Sequence, residues 1–121
     1  MYLPSQQPSG QDAQNNKGMA IIAYIFFFVP LIAGTYKTSP FVKFHTNQGT
    51  ILFIAAAVYS VVLSALLSIV GFVLFFIAFL IIPILSLLYL VPLAFVILGI
   101  VNAVNGRMSP LPLIGRFIII K

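Results

Sequence analysis

The stretch FHTNQGTILFIAAAVYSVVLSALLSIVGFVLFFIAFLIIPILSLLYLVPLAFVILGIVNAVNG, Phe44 to Gly106, runs 63 residues without one Lys, Arg, Asp or Glu. A single helix of that length would reach about 95 Å, some three times the hydrocarbon thickness of a bilayer, so the stretch folds back on itself within lipid. With 62% hydrophobic and only 6% charged residues among 121, the chain has too little polar surface to cover a soluble globule. Its length allows one compact unit.

Working outward, residues 1–17 carry Gln, Asn, Ser, Pro and Gly with little that is apolar, which predicts a disordered polar tail before a transmembrane domain over 18–121. Met19 to Gly34 is an apolar run of 16 residues interrupted by Pro30, and is read as a tilted or kinked first helix over about 18–36. Ser39-Pro40 is a helix start: the hydroxyl accepts an orphan amide, and a proline at the first helical position forfeits nothing. The second helix is expected over about 40–70, opening as an amphipathic interfacial segment with Lys43 snorkelling and turning near Gly71. A third, broken by Pro83 and Pro92, is expected over about 72–105 and stops at Asn105-Gly106. Residues 107–121 are expected to lie as a short segment on the membrane.

The net charge of +5 arises because Asp12 is the only acid, and the six bases flank apolar segments instead of clustering. That placement fits membrane orientation and not nucleic acid. With three spans, Lys37, Lys43, Arg107, Arg116 and Lys121 share the cytosolic side and the N-terminus lies outside; four spans would split the bases. The expected fold is therefore an all-α, multi-pass integral membrane bundle of three transmembrane helices in the cell membrane, with four as the alternative.

Chemistry concentrates in Phe41-Val42-Lys43-Phe44-His45-Thr46-Asn47-Gln48-Gly49. On a helix from Pro40, Phe41, Phe44, His45 and Gln48 fall at i, i+3, i+4 and i+7 and share one face. Two readings stand: the rings pack while His45 and Gln48 satisfy one another or a backbone carbonyl, or the cluster marks a ligand, proton or partner site. Since Asn102 and Asn105 close the third helix at the same membrane face, His45 and Gln48 are expected to meet them or the Leu111 to Gly115 segment. One His and one distant Asp supply no metal site, and with no Cys, no Glu and no paired base the chain is read as a non-enzyme without cofactor. Ala56, Ser60, Ser64 and Ser68 form a small-residue stripe for helix packing, as do Gly99 and Ala103. The same serines motivate a rival, a small oligomeric transporter or channel.

Phe41 to Gly49 and Asn102-Ala103-Val104-Asn105-Gly106, followed by Leu111-Pro112-Leu113-Ile114-Gly115, carry a resemblance. The first piece is similar to a Phe-His-x-x-Gln signature, and the second, with Gly106, Pro112 and Gly115, to an Asn/Gly-then-Pro-Leu-Ile-Gly ending. Both belong to a family of small bacterial membrane proteins of unassigned function related to the twenty-kilodalton component of the chloroplast Tic import machinery. The resemblance implies a multi-spanning inner-membrane protein, a subunit in protein translocation or membrane-protein assembly, and no active site. Expected partners are the lipid bilayer and another membrane protein or a second copy.

Overall fold

The computed structural model describes residues 10–120. Its helices are α1 (Gly10–Asn15), α2 (Lys17–Ile25), α3 (Phe28–Ala33), α4 (Pro40–Val73), α5 (Ala78–Leu85) and α6 (Val91–Val104), with 3₁₀ turns at Thr35–Lys37 and Ser86–Leu90. No strand occurs among the described residues.

The long helix α4 begins where a hydroxyl and a proline direct it to begin. Ser39 is extended and its Oγ accepts the amide of Val42 at 3.1 Å, with Pro40 occupying the first helical position. A second orphan amide, that of Phe41, donates to Asp12 Oδ2 at 3.2 Å, and the Ser39 hydroxyl donates to Asp12 Oδ1 at 2.6 Å. The one acidic side chain of the sequence thus lies at the positive end of its longest helix dipole.

After the turn Leu74 to Ile77, α5, the 3₁₀ segment and α6 return along α4. The break falls between the two prolines, at Ser86–Leu90, where the Ser86 hydroxyl donates to the carbonyl of Ile82. Tyr59 donates to the Leu88 carbonyl at 2.8 Å, and the hydroxyls of Ser64 and Tyr89 meet, so the two arms are fastened partway along. α6 ends on Gly106 at φ 69°, with the Gly106 amide on the Ala103 carbonyl and the Arg107 amide on the Asn102 carbonyl. That doubly bonded glycine stop is the one Asn105-Gly106 predicted.

Two helical stretches are long and apolar enough to cross a membrane, Pro40–Val73 with 34 residues and Ala78–Val104 with 27, and their most apolar windows are only 6% buried. Core helices of a soluble protein are buried; these present their apolar surface outward, to lipid. The expectation of three spans, or four, is therefore corrected to two. The turn lies at 74–77, and Gly71 is inside α4.

The missing span is the run expected as one helix over 18–36. It is two short helices, of 9 and 6 residues, each far below the ~20 needed to cross. Pro30 explains the break: it has no amide for the carbonyl of Phe26, and its ring crowds that carbonyl, so the first helix ends there. α2 runs in the same direction as α4, since Asp12 meets Ser39, Tyr24 meets His45, and the rings of Phe27 and Phe53 lie 4.9 Å apart between centroids. α3 then comes back, and Thr35–Lys37 delivers the chain to Ser39. The segment enters and leaves at one end of the hairpin.

Two further expectations change as a result. Of the tail read as disordered over 1–17, residues 1–9 lie outside the described residues, while α1 is helical and tied to α4 through Asp12. Residue 12 also stands at the end of the hairpin that holds Gly106, whose neighbour is Ala13, where the charge pattern had put the two termini on opposite sides.

The main core cluster occupies this end, with Leu63 buried further along α4. Phe41, Val42, Phe44, Ala20 and Ala23 are fully covered, with Leu52, Ala103 and Leu111 beside them. Beyond Leu52 the arms are mostly exposed, up to a tip where Phe72 and Phe76 are 87% and 89% accessible.

Candidate functional site

Residues 45 to 48 of α4 sit within the covered end and carry four polar side chains in a row. A buried polar group near lipid must find a partner or forfeit on the order of 1–3 kcal/mol. Three of the four find theirs on the C-terminal segment, residues 107–120, which has no helix to satisfy its own backbone.

His45 Nε2 lies 2.7 Å from the Arg107 carbonyl, and its Nδ1 lies 2.6 Å from the Tyr24 hydroxyl. Because a carbonyl only accepts, Nε2 carries the proton and donates to Arg107; Nδ1 of the neutral ring then accepts from the Tyr24 O–H. Burial pushes the Tyr24 phenol pKa upward, which keeps it protonated and a donor. The rings of Phe41, Phe44 and Tyr24 surround the imidazole edge-on, at centroid distances of 4.6, 5.1 and 5.5 Å. Tyr24 itself lies directly on the backbone of Gly99, where any Cβ would collide with the phenol ring.

Gln48 uses both ends of its amide, accepting from the Leu111 amide and donating to the Gly115 carbonyl, each at 2.9 Å. Gly115 is required because a Cβ there would press on Leu111 and on the Gln48 oxygen. Asn47 does the same one step further on: its Nδ2 donates to the Phe117 carbonyl at 2.8 Å and its Oδ1 accepts the amides of Ile119 and Ile120. Asn102 donates to the Ser109 carbonyl at 3.3 Å. Thr46 Oγ1 is the exception, buried without a partner among the described residues.

The expected meeting of His45 and Gln48 with the chain after helix α6 is thus seen in the geometry, through backbone atoms of Arg107, Leu111 and Gly115 and not through Asn102 or Asn105. Phe41, Phe44, His45 and Gln48 are covered completely, whereas Asn105 and Pro112 are exposed and Gly106 supplies the helix stop. These inward-facing side chains fasten the chain to itself. Of the packing stripe, Ala56 faces α6 across an apolar groove, Ser64 meets Tyr89, and Ser68 donates back to the Ser64 carbonyl. Ser60 is half-buried, and Gly99 and Ala103 are buried.

Sequence reasoning missed Tyr24, Asn47, Gly49 and Asp12. A lone tyrosine in the apolar run Met19 to Gly34 needs a hydroxyl partner, which was a readable signal. Asn47 lies off the face shared by Phe41, Phe44, His45 and Gln48, and matters because the C-terminal segment wraps around more than one face. The closeness of α2 to Gly49 left no trace in either stretch alone.

Among the described residues no group of three or more His, Cys, Asp or Glu is placed to hold a metal ion. Fold and site together define a small helical membrane protein: an apolar hairpin whose polar end is stitched shut by side chains of its first long helix. Residues 15–118 match the magnetosome magnetite crystal formation protein family, MamF/MmsF, and the chain belongs to that family. Neither the curated proteins nor the solved structures compared with it gave a match. The family shown is a small bacterial membrane-protein family, as expected; the comparisons give no support for a relationship to the Tic import machinery or for protein translocation.

Proposed function

We propose that the protein is a non-enzymatic scaffold of the membrane in which its family acts, the membrane surrounding a forming magnetite crystal. The observation that carries this is the fate of the polar side chains: His45, Asn47, Gln48, Asn102 and Asp12 are all spent on bonds within the chain. What remains outward is an apolar hairpin for lipid and, at one end, a platform bearing Asn105, Arg107 and Arg116. Such a molecule holds a place in a bilayer and displays a surface for assembly with a second copy. The basic platform faces the cytosol of the cell membrane or of a membrane derived from it. The transporter alternative draws less support, since two of its serines, Ser64 and Ser68, already bond within the hairpin.

Photo-crosslinking in native membranes from position 105, which is exposed beside the stop of α6, tests the proposal. The expected product is a covalent dimer of the chain. Adducts with lipid alone would overturn it.

A further inference from the structure

One turn beyond the polar end, α4 and α6 separate enough to leave a groove of about 220 Å³, walled by Leu52, Ala56, Tyr59, Pro92, Phe95 and Leu113. Every wall is apolar, and from Leu52 to Tyr59 the groove runs about 10 Å along α4, away from the polar end and into the depth that lipid tails occupy. At its mouth stands the C-terminal segment. Leu113 also borders a second hollow, which it shares with Pro110, Leu111 and Arg116, so a single residue stands between an apolar slot and a hollow lined by an arginine whose guanidinium lies 5.3 Å from the centroid of the Phe117 ring. Asp12, the one acidic side chain, is bonded at the start of α4 to Ser39 and the Phe41 amide.

Leu113 is an unusual divider. Its φ of 68° lies in the left-handed region that costs an ordinary residue roughly 1–2 kcal/mol, the Ile114 amide closes a tight turn on the Pro112 carbonyl, and the side chain stands 85% exposed.

We propose that this is a binding site for an anionic phospholipid, one acyl chain lying in the groove between α4 and α6 and the phosphate resting on Arg116. Charge complementarity selects the headgroup, and the adjacency of groove and Arg116-lined hollow at Leu113 selects a lipid over a free anion.

Native mass spectrometry of the full chain in detergent, incubated with equal amounts of dioleoyl phosphatidylglycerol and dioleoyl phosphatidylcholine, tests it. The wild type is expected to retain phosphatidylglycerol in preference, Arg116→Gln to lose that preference by about fivefold while still holding lipid, and Ala56→Phe to lose both lipids at unchanged helicity. Glycerol 3-phosphate is expected not to displace the bound lipid. An unaltered preference in Arg116→Gln, or displacement by glycerol 3-phosphate, would overturn the proposal. Should Ala56→Phe unfold, Ala56→Val narrows the same groove, and undiminished lipid retention in that folded variant would likewise count against it. The measurement is made on dissociated chains in detergent, so it stands or falls separately from self-assembly in the membrane.

Discussion

His45 has both ring nitrogens bonded and three aromatic rings around it, so its neighbours fix both its tautomer and its orientation. Removing the Tyr24 hydroxyl leaves Nδ1 buried without a donor, and Tyr24→Phe is expected to destabilise the protein by about 1–3 kcal/mol, read as a lower midpoint of thermal unfolding in detergent. Thr46 gives the opposite sign. Its hydroxyl is already unpartnered, so Thr46→Val exchanges an unmet polar atom for a methyl group and is expected to raise that midpoint. Of these two positions the sequence announced the first through His45, which any reading of an ionisable residue at membrane depth would single out. It hid the partner, because a tyrosine in an apolar run has no preferred contact until the fold supplies one.

At the scale of elements, local chemistry was the legible part. Ser39-Pro40 opened α4 and Asn105-Gly106 closed α6, since caps depend on the residues within a turn of them. The run from Met19 to Gly34 reads as a span because composition reports affinity for lipid and not path; only the proline four residues after Phe26 carries the break. Gly49 fixes where the re-entrant pair lies, for a Cβ there would drive into the Ala23 carbonyl, which is backbone and cannot move aside. Gly49→Ala is expected to cost roughly 1–3 kcal/mol and to loosen α2 from α4, seen as faster amide exchange over residues 17–25. The C-terminal segment is held differently, by side-chain amides. Asn47→Ala removes one donor and one acceptor together, and the amides of Ile119 and Ile120 are expected to exchange faster, while α4 and α6 keep their protection.

For the whole molecule, the arrangement predicts sidedness. The chain contains no cysteine, so single cysteines placed at positions 17, 43, 107 and 116 report cleanly. All four are expected to react with a membrane-impermeant thiol reagent added from the same side, in intact cells or in inverted vesicles but not in both. Labelling of 17 and 107 from opposite sides would contradict the re-entrant pair. Charge counting alone had separated these positions, because it assumes that every apolar run crosses. The placement of Lys17 beside α4 is tertiary information, held in the Tyr24, Gly49 and Asp12 contacts that join stretches far apart in the chain.

The hairpin is crowded at one end and sparse at the other: α1, α2, α3 and the C-terminal segment gather around the start of α4 and the close of α6, while at the tip only two slender arms remain. A body of that taper claims more area in the leaflet it enters than in the leaflet its phenylalanine tip approaches. Each copy is therefore expected to expand one sheet of lipid more than its counterpart, so that a flat patch holding many copies would bow toward the broad end.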